Sequence, residues 1–322
     1  MNFAPSQILL EDEGSEGALE VPPPATHAVS PNRLLWQRVR SDRAARVSAG
    51  VIVALLLIAI LAPLIVDVFG VTGPNVRNPS TLNSFGLPTG PSFGHPFGVD
   101  DRGRDVFARV IYGTRIPLEV GILGTALATA VGTAVGLAAG FYGGWIETAL
   151  MGIVDALLAF PAVLLGLGLG GTIGPGLGTV IFIVALTSFP YIARVVRRRV
   201  RALREQDFVL AARSLGASDR RIVSREILPS LLAPLIVYSV VLIPANILLE
   251  AALSFLGVAV HAPTADWGQM ISRAGNDIVS GNSAWWYLLF PGLALVLTLL
   301  ALNLGGRVLL EALGQGKGRR ST

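Results

Sequence analysis

The stretch Arg194-Val-Val-Arg-Arg-Arg-Val-Arg-Ala-Leu-Arg-Glu205-Gln-Asp-Phe208-Val-Leu-Ala-Ala-Arg-Ser-Leu-Gly216-Ala-Ser-Asp-Arg-Arg-Ile-Val-Ser-Arg-Glu-Ile-Leu-Pro229 decides how this chain is read. It is polar and dense in arginine, yet it lies between apolar runs as long as a bilayer requires. Arginines placed so mark a loop on the cytoplasmic side of a membrane protein. Residues 205–215 are good helix formers, with Phe208, Ala212 and Leu215 on one face, and Gly216 is the kind of residue that stops a helix. Ser218 stands where it can cap a second helix, and Asp219 falls in that helix's first turn, where the macrodipole favours it. Small Ala211 and Ala212 let a partner surface approach closely. The stretch reads as a short helix braced by a turn, built to dock something in the cytoplasm.

Composition agrees with a membrane setting. The chain has 322 residues, 52% of them hydrophobic and 14% charged, where soluble domains carry about 25% charged residues. The net charge of +4 does not indicate nucleic acid, because the arginines flank apolar spans instead of covering a soluble face. With no cysteine there is neither a disulfide nor a thiolate metal site. His27, His95 and His261 have no metal-ligand spacing.

Six apolar stretches are long enough to cross a bilayer: about 49–69, 117–141, 146–169, 177–196, 231–258 and 286–310. Residues 1–31, acidic and then proline-rich, read as a disordered cytoplasmic tail and not a signal peptide. A basic lead-in, 32–47, precedes a transmembrane region over 48–313, and 314–322 form a short basic tail. The 33–46 arginines, the 194–229 loop and the C-terminal tail put both termini in the cytoplasm. Between the first two spans, residues 75–94 should be irregular. From Asp105 the apolar spacing of Val106, Val110 and Ile111 predicts a short amphipathic helix at the outer surface, with Arg104, Asp105 and Arg109 lining its polar side.

Several segments together resemble one family. His95-Pro96-Phe97-Gly98-Val99-Asp100-Asp101, then Gly103-Arg104-Asp105, and Arg109-Val110-Ile111-Tyr112-Gly113 look like the signature of permeases in the dipeptide, oligopeptide and nickel group of ABC importers, on the C-type subunit. Asp155 to Pro161, Asp207 to Ser218, Leu249 to Gly257 and Pro263 to Met270 agree, in family order. The resemblance implies an all-α polytopic protein with six transmembrane helices in the type I ABC importer (MetI-like) permease fold. It implies a homologous second permease, two cytoplasmic ATPase subunits and an extracytoplasmic substrate-binding protein as partners, besides membrane lipid. ATP and Mg would be bound by the ATPase partners, so this chain would carry no cofactor and would not be an enzyme. Di- or oligopeptides are the expected cargo, with nickel chelates, glutathione or another small solute as alternatives. The ATPase-docking residues would be Glu205, Asp207, Phe208, Val209, Ala211, Ala212, Arg213, Leu215, Gly216, Ala217 and Ser218. The chain departs from the family pattern at Glu226, usually histidine, at Ser230, usually asparagine, and at the end of its last helix.

Asp155 and Glu250 are the carboxylates within spans, where charge is expensive and faces a cavity or a partner. With Pro161 and Ser254 they are candidates for the pathway, Glu250 more as an interhelix hydrogen-bond lock. Asp100, Asp101, Arg104, Asp105, Arg109 and Trp267 are candidates for receptor docking on the outer face. Gly132, Gly136 and Gly140, four apart, predict close helix packing, within the chain or against the partner permease. Gly166, Gly168 and Gly171 fit a dinucleotide spacing but lie in an apolar span with no strand before them. No Gly-x-x-x-x-Gly-Lys-Ser/Thr motif occurs, so nucleotide hydrolysis is not expected here. A self-sufficient ion-coupled carrier or channel is the rival reading, and two deep carboxylates make a thin proton path.

Overall fold

A computed structural model describes residues 43–260, 263–279, 281 and 284–318. The expected N-terminal tail, most of the lead-in and the last residues lie outside the described residues. Among those described, all regular structure is helical, apart from one isolated bridge between Val99 and Asp105.

The first span is α1 (Arg43–Val68). A short helix α2 (Val106–Gly113) then runs through Thr114 into α3 (Arg115–Tyr142). Next come α4 (Gly144–Leu158), α5 (Ala162–Ile173) and α6 (Leu177–Arg204). The arginine-dense stretch supplies the end of α6, then α7 (Asp207–Ser214) and α8 (Asp219–Ile222). A π-helical turn, Val223–Ile227, leads into α9 (Leu228–Phe255). Finally α10 (Trp267–Val279) leads to α11 (Trp285–Gly318). Among the described residues, five helical segments are long and apolar enough to cross a membrane, and α4 with α5 makes a sixth if that pair crosses as one.

Three expectations need correction here. The third span is not one helix: the chain bends by 90° between α4 and α5, at a proline that cannot continue the helix and that disfavours helix in the residue before it. Residues 194–204 are not loop but the helical extension of α6, so the true connection is 205–218. The outer amphipathic helix does form, but Arg104, Asp105 and Arg109 are wholly buried instead of lining a wet surface.

The core lies between α3 and α6, the most extensively packed pair, with α9 against both. Its seam is the glycine stripe. A Cβ on Gly132 would sit 2.7 Å from the Phe189 carbonyl oxygen, on Gly136 2.6 Å from that of Ala193, and on Gly140 2.8 Å from that of Arg197. No side chain fits there, so the four-residue spacing serves packing inside this chain. Above it, Thr125, Ser188 and Asn246 tie α3, α6 and α9 together. The Asn246 amide donates to Thr125 Oγ1 at 2.8 Å, and Ser188 Oγ donates to Asn246 Oδ1 at 2.6 Å. α1 packs on α11, and Arg115 Nε donates to the Ala59 carbonyl at 2.7 Å, while the rest of α1 presents Val53, Leu57, Ile60 and Leu64 outward.

Candidate functional site

Two polar regions stand at opposite ends of the bundle. At the end that carries the arginine stretch, Glu147 of α4 pairs with Arg197 and lies 3.7 Å from Arg201. Arg204 Nη1 donates to the Phe141 carbonyl at 2.7 Å, occupying an acceptor at the end of α3. These contacts fasten the extension of α6 and give α7 a rigid base.

α7 ends in a Schellman motif: the Ala217 N–H donates to the Ala212 carbonyl at 3.1 Å, and the Gly216 N–H to the Arg213 carbonyl at 3.0 Å. The motif needs a residue at positive φ, and Gly216 has φ of 79° with no atom near its missing Cβ. Ser218 takes the N-cap position of α8 without a side-chain cap bond. Val209 and Ile222 are buried in the main core, so the connection is keyed into the bundle by two side chains. What it turns outward is apolar: Phe208, Leu210 and Leu215 are exposed, Leu215 at 88%, with Ala211 beside them. The face expected to hold Phe208, Ala212 and Leu215 is therefore split, since Ala212 leans on the core while the other two project away. Glu205, Asp207 and Arg213 are exposed around it, and Arg213 lies 4.0 Å from Asp219.

At the opposite end, Asp100 organises a tight loop. Its Oδ1 accepts from the Arg102 and Arg104 N–H groups, each at 2.9 Å, and its Oδ2 lies 2.7 Å from Arg104 Nε and 2.6 Å from Arg104 Nη2. Asp105 caps α2 by accepting from the Ala108 N–H at 2.8 Å, and His95 Nδ1 lies 2.7 Å from its other oxygen. Burial pushes the Asp105 carboxyl up, against those hydrogen bonds. Arg109 is the hub. Its Nη1 donates to the carbonyls of Pro74 at 3.0 Å and Pro263 at 3.2 Å, and its Nη2 to that of Thr264 at 3.4 Å. Trp267 Nε1 donates to the Val110 carbonyl at 3.0 Å, and its ring lies against Gly113. Of the six outer docking candidates only Asp101 reaches solvent appreciably. The others build the loop and do not form its outer surface.

The candidates within spans also separate. Asp155 is exposed on α4 and pairs with Arg194 at 2.7 Å, and Pro161 is exposed at the α4–α5 bend. Glu250 is wholly buried, and neither carboxyl oxygen has a hydrogen bond, so it is not the expected lock. That role falls to its neighbours one turn away on α9. Ser254 donates to the Asp266 carboxylate, and Asn246 joins α3 and α6. Asn246 could have been noticed as a lone amide in an apolar run, which seeks partners inside a bundle. Asp266 also accepts from the Gly268 N–H at 2.9 Å, and its burial pushes the carboxyl up.

A bent, glycine-seamed bundle of helices long and apolar enough to cross a membrane defines a polytopic membrane protein. Residues 132–319 match the model of the binding-protein-dependent transport system inner membrane component, and 30–79 match the N-terminal TM domain of oligopeptide transport permease C. The chain belongs to this family and is a permease subunit of a binding-protein-dependent ABC importer. It is 39% identical to a dipeptide transport system permease protein of Alkalihalophilus pseudofirmus, over 91% of this chain and 93% of that one. It is also 39% identical to a glutathione transport system permease protein of Escherichia coli, over 86% and 88%. A putative peptide transport system permease of Brucella abortus is 38% identical, over 88% and 92%. Among solved structures, a chain of the MetNI methionine ABC transporter in an inward-facing conformation matches with a TM-score of 0.51 at 20% identity, over 63% of this chain and 96% of that one. That likeness supports the type I importer fold.

Proposed function

We propose that this permease admits di- and oligopeptides, and that the 205–218 connection, with Gly216 at its corner, receives an ATPase subunit. The observation that carries the coupling reading is the exposed ridge of Phe208, Leu210 and Leu215 on a helix whose other side, through Val209, is locked into the core. Exposed apolar side chains gathered on one short helix mark an interaction surface, and a helix seated this way passes a push to α6 and α9 together. Peptide cargo is supported by relatives named for dipeptide and peptide transport. Glutathione is the second reading, because a relative named for it is just as similar.

In this reading, both termini lie in the cytoplasm and the transmembrane domain spans 48–313. A second, homologous permease completes the pathway against the exposed α4–α5 face, where Asp155 and Pro161 sit. Two ATPase subunits bind ATP and Mg below, and a soluble receptor docks above. Asp100, Arg104, Asp105, Arg109 and Trp267 hold the outer loops in shape for that receptor, with Asp101 left as a direct contact. Co-reconstitution of both permeases, both ATPases and the receptor in liposomes should give ATP-dependent uptake of a labelled dipeptide. Gly216→Trp should abolish uptake and ATPase association while leaving the permease pair intact. Uptake that persists without ATPase subunits would end the coupling reading.

A further inference from the structure

A five-residue pattern occurs twice in the connection between α1 and α2. Ser84-Phe85-Gly86-Leu87-Pro88 returns a little further on as Ser92-Phe93-Gly94-His95-Pro96. Phe85 is 84% exposed, and Phe93 is fully exposed. The segment that carries them, 78–99, contains no Asp, Glu, Lys or Arg, although Arg77 and Asp100 stand directly at its ends.

Each phenylalanine stands on a turn that satisfies its own backbone. Asn83 Oδ1 accepts from the Phe85 and Leu87 N–H groups, both at 2.9 Å, and the Gly86 N–H donates to the Asn83 carbonyl at 2.9 Å. Around Phe93, the Ser92 and His95 backbones exchange two hydrogen bonds, at 2.9 and 3.1 Å. Backbone groups bonded in this way lose little on leaving water.

Ring contacts fix the level of the segment against the bundle. Phe97 stacks on Phe290 with ring centres 3.8 Å apart, and Phe290 lies just over one turn inside α11, a helix of membrane length. Phe107 joins Phe97 to Phe69, just past the end of α1, at 5.1 and 4.9 Å. Trp286 Nε1 donates to the Val99 carbonyl at 3.1 Å, and its ring lies against Gly90 and Gly98. The segment therefore sits beside the ends of two apolar helices, at the depth where tryptophan marks the boundary between headgroups and hydrocarbon.

We propose that the two Ser-Phe-Gly turns are a lipid anchor, with Phe85 and Phe93 entering the boundary region of the leaflet at this end of the bundle. An uncharged segment with two projecting phenyl rings suits that region, whereas a protein partner would find no charge there to fix its register. The anchor steadies the connection where His95 meets Asp105, the cap of α2.

The chain has no cysteine, so one introduced cysteine takes a nitroxide label at a single place. Leu87→Cys puts the label between the two turns and leaves both phenylalanines in place. Leu57→Cys, on the exposed apolar face of α1, is the lipid reference, and Ser224→Cys, exposed beside the arginines, is the water reference. The permease pair with its ATPase subunits, the partners free of cysteine, is placed in nanodiscs of phosphatidylethanolamine and phosphatidylglycerol. The ratio of collisions with oxygen to collisions with a water-soluble nickel chelate should be severalfold higher at Leu87→Cys than at Ser224→Cys, with or without the receptor. Phe85→Ser with Phe93→Ser should bring it down to the water reference, and both side chains touch so little of the chain that the fold survives. A ratio that equals the water reference from the start overturns the anchor. A ratio that rises only when the receptor is added makes the turns a receptor contact and overturns it too. A high ratio unmoved by the double substitution means that the phenyl rings do not hold the loop, and the proposal fails.

Discussion

Residues 100–109 and 194–225 are both rich in charge, and the fold treats them in opposite ways. The first holds three aspartates and three arginines, the second ten arginines against three acids. In the first, Asp100, Arg104, Asp105 and Arg109 are sealed inside the protein. In the second, Arg198, Arg199, Arg220, Arg221 and Arg225 stay exposed, with no acidic partner among the described residues. The difference follows from the sign balance. A balanced set can neutralise itself and so can be buried, whereas an unbalanced set must stay in water or await a partner. Both regions are dense in charge; what separates them is whether the charge is compensated within the fold.

The comparison breaks most readily at Arg109. Arg109→Ala removes the donor shared by three carbonyls of two separate loops and leaves Asp100 with one arginine. Breaking a buried pair of this kind costs about 3–5 kcal/mol. The expected result is a large drop in the unfolding temperature of the detergent-purified permease pair, and an unfolding temperature equal to wild type would refute the sealed-hub account. Next in size is Gly136→Leu. Its Cβ would already press on the Ala193 carbonyl, and over-packing of this kind costs about 1–3 kcal/mol. The same assay should show a smaller drop, and Gly152→Leu, where nothing stands within 4 Å, should show none.

Legibility in the sequence follows the same division. The spans could be read because apolar length is a local property, and the helix stop at Gly216 because positive φ is a demand on one residue. The glycine stripe revealed close packing by its period, but not that α6 is what it meets, since the pairing of helices is not local. The outer site misled for a physical reason. Helical spacing placed Arg104 and Arg109 opposite the apolar residues, but Asp100 engages Arg104, and the loops at Pro74 and Pro263, far away in sequence, close over Arg109. Glu250 misled likewise: its span was evident, while the interhelix hydrogen bonds are made instead by Asn246 and Ser254, one turn to either side.

Acidity should sharpen the contrast. Burial pushes the carboxyls of Asp105, Asp266 and Asp277 up from the ordinary aspartate value of 3.8. A carboxyl raised by folding is held more firmly in its protonated form. Its stabilising contribution is complete below 3.8 and is lost as pH rises through the raised folded value. The loops that hold these carboxyls should therefore open less often as pH falls from neutral towards that range. Amide hydrogen exchange, corrected for intrinsic rate, should slow over 95–115 and 263–279 and stay level over 205–218. Asp266→Asn should remove part of the dependence. An equal response at both ends would mean that the outer carboxyls are not its source.

The smallest effect on stability is expected where the effect on assembly is large. Leu215 is almost wholly exposed, so Leu215→Ser gives up few contacts within the chain and should change the unfolding free energy by no more than about 0.5 kcal/mol. The same change removes an exposed apolar side chain from the 205–218 connection, and a partner that buries it would lose on the order of 1.5–3 kcal/mol of transfer free energy. Unchanged unfolding with weakened ATPase association is the signature of a surface selected for a partner. Weakened unfolding with unchanged association would make Leu215 a structural residue and remove the distinction between a sealed end at 95–115 and an open end at 205–218.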